Sequence, residues 1–148
     1  MNINHKTQEQ NRQGMAIVEM ALVLPLFMML VLGIVEFGRA MMVSNLITDA
    51  AREGARLAAS SDSTNSEVIA LVQSSLLETV GVDPGNVSIS LTVDPGPNNA
   101  DPNDNLSLAQ KRDICRVEVS VPFSKVSFIP RNHLGEKSLT GKSVMRHE

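Results

Sequence analysis

The sequence predicts an α+β protein in which one long N-terminal helix crosses a membrane and its C-terminal half packs in a small domain of helix plus antiparallel sheet. Three observations predict this. Sixteen consecutive residues from Met20 to Val35, MALVLPLFMMLVLGIV, carry no charge, and the 21 residues from Met15 to Val35 hold a single ionisable group, Glu19. At about 1.5 Å rise per residue, such a run approaches the roughly 30 Å of hydrocarbon in a bilayer. No helix stop follows it, because no proline intervenes between Pro25 and Pro84. Finally, two segments alternate apolar and polar residues with a period of two, the pattern of half-buried strands.

Taken in order, residues 1–14, MNINHKTQEQNRQG, are polar and aperiodic and read as a flexible leader. Residues 15–36 form the membrane-spanning part of a helix running from about Met15 to Ala59. Pro25 lies inside this span; a membrane helix tolerates a proline there as a kink. Residues 37–59 continue the helix as an amphipathic stretch. Apolar or small residues recur at Val43, Leu46, Ile47, Ala50, Ala51, Gly54, Leu57 and Ala58, at spacings of three and four. Charges fall at helical spacing too: Glu36 with Arg39, Asp49 with Arg52, Glu53 with Arg56.

Residues 60–148 form the remaining domain, placed outside the cytoplasm. After a Ser/Asp/Asn linker, Ser66 or Asn65 is expected to cap a second helix from Glu67 to about Val80, stopped by Gly81. Val87–Val93 and Cys115–Val121 read as strands, the second with Cys115, Val117, Val119 and Val121 inward. The DPGPNNADPNDN loop between them reads as too polar to pack. Ser138–Arg146 is expected as a third strand, with Gly141 as a bulge. The region from Ser124 to Gly135 reads as a short turn or helix.

Composition narrows the function. A net charge of −3, with Lys and Arg spread singly and without Trp or Tyr, gives no basic stripe or stacking platform for nucleic acid. The single cysteine, Cys115, excludes an intramolecular disulfide. It reads as a buried reduced thiol, with an intermolecular bridge as the alternative. Asp101-Pro-Asn-Asp-Asn105 opens like a calcium loop, but Leu106 replaces the required glycine and Arg112 the closing glutamate. The histidines, His5, His133 and His147, lack metal-ligand spacing. No metal, no cofactor and no enzymatic activity are expected.

The sharpest feature is the junction QG-MAIVEM. Gly14 ends the polar leader, Met15 opens the apolar helix, and Glu19 places a carboxylate where a charge costs about 2.5–3.5 kcal/mol on insertion scales. A cut between Gly14 and Met15 would leave a free amine one helical turn from Glu19, so that in an assembly one subunit's carboxylate could pair with its neighbour's N-terminus. Lys6 and Arg12 against Glu9 bias the N-terminus toward the cytoplasm. A secretory signal peptide is the main competitor, but its shorter apolar core fits poorly. A carboxylate merely snorkelling to the headgroups is the bland reading of Glu19.

This junction resembles the class III signal of type IV pilins. The longer stretch RQGMAIVEMALVLPLFMMLVLGIVEFGRAMMVSNLITDAAREGARLAA, residues 12–59, resembles the TadE-like family of the tight-adherence (Tad/Flp) pilus system. The VE-x-A-hydrophobic-P core, the EFGR exit and the AAREGARLAA turns carry the likeness. The resemblance implies a long helix of pilin type and a pseudopilin of the bacterial inner membrane that supports assembly of adhesive pili. It implies processing by a prepilin peptidase, and other pilins or pseudopilins as partners. Carried over, Gly14 precedes the cleaved bond, Met15 becomes the new N-terminus, and Glu19 is the pilin-type glutamate. Met20 stands where a major pilin typically has tyrosine, which points to a minor component. Ala50, Gly54 and Ala58, four apart, would admit a close helix, either a partner's or this chain's own second helix. A hypothesis of another class is a membrane-anchored binding module that is neither processed nor assembled.

Overall fold

The computed structural model describes residues 4–127 and 137–148, with side chains described from Gly14 onward. Helix α1 spans Asn4–Ala58 and helix α2 spans Asn65–Val80. Strands β1 (Ser88–Asp94), β2 (Ile114–Pro122) and β3 (Ser138–Arg146) form one antiparallel sheet with β2 in the centre. The chain is therefore α+β. It divides into two compact units, Met1–Gly38 and Arg39–Glu148.

In the first unit, α1 begins at Asn4, well before Met15, so the leader is not the structureless segment its polarity suggested. Lys6, Gln8, Glu9, Gln10, Arg12 and Gln13 are good helix formers, and extending an existing helix costs far less than nucleating one. Pro25 lies inside α1 without ending it.

In the second unit, one face of α1 supplies Val43, Ile47, Ala50, Ala51, Ala55 and Ala58 to the core. Val68, Val72 and Leu76 of α2 meet them, as do Cys115, Val117, Val119 and Val121, the inward residues of β2. Burying a Val or Leu side chain contributes roughly 1.5–3 kcal/mol, so these aliphatic contacts replace the aromatic core the composition lacks. Arg39 donates to the carbonyl of Val126, tying α1 to the turn after β2.

Thr64, not Ser66 or Asn65, caps α2. Its hydroxyl accepts from the Glu67 N–H, while the Glu67 carboxylate accepts from the Thr64 N–H at 2.9 Å. Such a reciprocal box is worth about 1 kcal/mol. Gly81 ends the helix in the left-handed region, φ 74°, where a side chain would be strained.

Asn65 is freed for another role. Its side-chain amide donates to the Asp104 carbonyl at 2.7 Å, and its oxygen accepts from the Leu106 N–H at 2.8 Å. Asp104 in turn accepts from the Val93 N–H at 2.9 Å. Pro102 and Leu106 are buried, so the polar loop packs after all: its few apolar residues turn inward and its Asx side chains satisfy the backbone.

Gly141 makes no bulge. It pairs in register with Val119 and is buried against α1, where an added Cβ would lie 2.8 Å from the backbone N and Cα of Thr48. The part of the 124–135 region that is described contains a 3-10 turn, Phe123–Lys125; residues 128–136 lie outside the described residues.

Candidate functional site

From Gly14 to Leu30 every residue of α1 is exposed, and most are large and apolar: Met15 is 74% exposed, Leu22 69% and Phe27 54%. A helix apolar on all faces, with none of the described residues covering it, is a helix built for lipid or for other helices. It is long and apolar enough to cross a membrane. Gly14, Met15 and Glu19 all lie on this surface within α1. Met15 and Glu19 are four residues apart, hence on one face one turn apart. The Gly14–Met15 peptide is helical rather than extended at a helix boundary. Among the described residues, a Cβ added at Gly14 would meet no neighbour beyond its own helix turn.

Ala50, Gly54 and Ala58 are buried in the second unit. A Cβ at Gly54 would meet Val72 at 2.6 Å, Val117 at 3.5 Å and Val68 at 3.6 Å. The small stripe is thus occupied by this chain's own α2 and central strand. Cys115 is fully buried at the same place; its thiol donates to the carbonyl of Ala58 at 3.4 Å. Burial and the nearby Asp113 carboxylate push that thiol up to about 11, which keeps it protonated and unreactive at neutral pH.

Two buried polar residues were not legible in the sequence, Asp113 and His147. No local pattern marks them. They meet because β2 and β3 pair Ile114 with Arg146, which leaves their flanking neighbours side by side. The His147 N–H donates to the Asp113 carbonyl at 2.8 Å, and His147 Nδ1 lies 3.3 Å from the Ala58 carbonyl. The Asp113 carboxylate accepts from the N–H of Gly96 at 2.8 Å, the N–H of Gln110 at 2.7 Å and the amide of Asn99 at 2.6 Å.

Burial alone would raise the Asp113 pKa. The hydrogen bonds from Asn99, Gln110 and Gly96, with the charge of His147, outweigh it and hold the carboxyl below its ordinary 3.8. A depressed folded-state value means stability is fully present above pH 3.8 and is lost as pH falls through the lower, folded value. Asp113→Asn puts an amide against N–H donors and is expected to cost about 2–3 kcal/mol at neutral pH. Urea unfolding of the full chain in detergent, from neutral to acid pH, should show the variant weaker at pH 7 and less acid-sensitive than the parent. Equal stability at pH 7 would remove the proposed role of the carboxylate.

One exposed apolar helix of spanning length, carried by a chain with a compact α+β unit, defines a class: proteins fitted for single-pass membrane anchoring through an N-terminal helix. Residues 14–56 match the family model described as TadE-like protein. The match begins at Gly14, takes in Met15, Glu19, Ala50 and Gly54, and stops before α2 and the sheet. It suggests involvement in a Tad pilus system. No curated protein and no solved structure matches the chain.

Proposed function

We propose that this chain is a minor pseudopilin-like component supporting assembly of tight-adherence (type IVb, Flp) pili. In this reading it sits in the bacterial inner membrane with its N-terminus cytoplasmic. Residues 1–14 are a leader removed by a prepilin peptidase, residues 15–36 span the bilayer, residues 37–59 continue the helix, and residues 60–148 form the extracytoplasmic domain. Its partners are the peptidase and other pilins or pseudopilins. Its role is structural, with no cofactor. One observation carries the reading: a lone carboxylate, Glu19, stands on an otherwise apolar helix surface one turn beyond Met15, within the segment that matches the TadE-like family.

A second reading, an unprocessed membrane-anchored binding module, draws support from the helical state of the Gly14–Met15 peptide. A protease needs that peptide extended, so cleavage requires local unwinding. Glycine eases that unwinding by roughly 1 kcal/mol relative to alanine. N-terminal sequencing of the membrane-extracted protein separates the two readings. Met15 is the expected first residue, and Gly14→Leu should leave the leader attached. A parent protein beginning at Met1, or a Gly14→Leu variant cut normally, would refute processing at this bond.

A further inference from the structure

Where α1 ends and residues 145–148 fold back, two open cavities of about 460 Å³ and 440 Å³ have Arg146 and Glu148 in common. Arg56 lines the first, Lys111 and Arg112 the second, and Arg146 and Glu148 both. All four cations are exposed, and within the described residues none is held in an ion pair. In a chain of net charge −3, four such cations around one pair of cavities form a local reversal of sign. Among the described residues, the only carboxylate side chain lining them is that of Glu148.

The turn that carries two of these cations is built at a cost. The Asp113 N–H donates to the Gln110 carbonyl at 3.0 Å, and Arg112, third residue of the turn, has φ 86°. That is the position where such turns take glycine. Asp113 and Asn99 fix the turn from below: Asn99 donates to the Lys111 carbonyl at 3.0 Å and to the Asp113 carboxylate at 2.6 Å.

We propose that this end of the domain is a docking groove for an extended acidic segment of a partner protein. The cations are divided between two cavities that share Arg146, rather than all lining one, which suits successive carboxylates better than one compact anion. Guanidinium forks match carboxylates in two-pronged fashion. A lipid surface is less suited, since surface binding needs apolar groups inserting beside the cations. The apolar lining residues here, Ala59 and Met145, are buried and half-buried. This inference holds whether or not the chain is processed.

The test is fluorescence anisotropy of a labelled oligoglutamate peptide titrated with the full chain in non-ionic detergent. Binding should weaken as salt rises and the charges are screened. Arg146→Ala, which removes the cation shared by both cavities, should weaken it about tenfold. Arg56→Ala and Lys111→Ala should each cost roughly threefold, and Glu148→Gln should tighten binding. Arg112→Gly should raise Tm by about 4 °C while weakening the peptide roughly threefold, a combination that a turn kept only for folding would not give. The proposal is overturned by absence of peptide binding, by unchanged affinity in Arg146→Ala or Arg112→Gly, or by displacement of the peptide with equimolar inorganic phosphate. Binding to anionic vesicles in place of the peptide overturns it as well.

Discussion

Gly141→Ala is expected to destabilise the second unit by about 3 kcal/mol, at the upper end of what one inserted methyl usually costs in a packed interior. The reason lies in what the methyl would strike. Gly141 sits on β3 opposite Val119, with its α-carbon against α1, and the new Cβ would fall 2.8 Å from the N and Cα of Thr48 and 2.9 Å from the carbonyl carbon of Ile47. These are helix backbone atoms, and no rotamer change moves them. Either α1 or the sheet must shift, and β3 is held by its register with β2 along its whole length. Gly54→Ala is the informative comparison, because its closest atom, at 2.6 Å, is a side-chain methyl of Val72. A helical valine has one strongly preferred rotamer, so this contact also resists, but a side chain yields more readily than backbone. The expected order of loss is therefore Gly141→Ala, then Gly54→Ala, read from urea unfolding of the full chain in detergent. A Gly141→Ala variant within about 0.5 kcal/mol of the parent would mean that the helix and sheet do not approach as described.

The same glycine shows how far the sequence could be read. A glycine inside a strand pattern signals either a bulge or a close backbone approach. The sequence alone pointed to a bulge, since nothing in one dimension reveals that β3 crosses α1 at Thr48. Elements defined by periodicity were legible: the apolar stripe of α1 from Val43 to Ala58, the α2 pattern stopped by Gly81, and the inward row Cys115, Val117, Val119 and Val121. The bounds of the third strand, Ser138–Arg146, were also legible, although its inward row, Leu139, Gly141, Ser143 and Met145, is only partly apolar. Features decided by a competition among similar residues were not. Thr64, Asn65 and Ser66 can all cap, and Thr64 holds the position because Glu67 lies three residues on and Asn65 is engaged by the 104–106 loop. At the site, Gly14, Met15 and Glu19 stand out because a lone charge beside a glycine is conspicuous in an apolar run. Asp113, His147 and the cations around Arg146 do not, because only strand pairing and chain reversal bring them together.

Substitution of Glu19 is expected to give the largest functional effect under the proposed reading: loss of assembly with processing intact. Glu19 is exposed on α1, surrounded by apolar side chains of which Val18 is 61% and Met20 63% exposed. An unpaired carboxylate there costs about 2.5–3.5 kcal/mol on insertion scales, so its retention needs a compensating partner. Once the Gly14–Met15 bond is cut, the new ammonium of Met15 lies one turn away on the same face. Pairing within one chain would satisfy the charge but would align nothing. Pairing between neighbouring chains satisfies both subunits and fixes their axial register, and in low dielectric, removing one partner of such a pair costs about 3–5 kcal/mol. In this reading the peptidase recognises the glycine and the adjoining helix and has no need of the carboxylate. Glu19→Gln keeps the size and some hydrogen bonding while removing the charge; Glu19→Val removes both and eases insertion. Both variants should therefore be inserted and cut to Met15 at normal yield, as read by N-terminal sequencing of the membrane fraction. Both should then fail in pilus assembly and in co-purification of pilin partners, Glu19→Val more completely. If cleavage fails too, the carboxylate belongs to recognition by the protease. If assembly proceeds as in the parent, Glu19 merely snorkels to the headgroups, and subunit register must be set elsewhere on the helix.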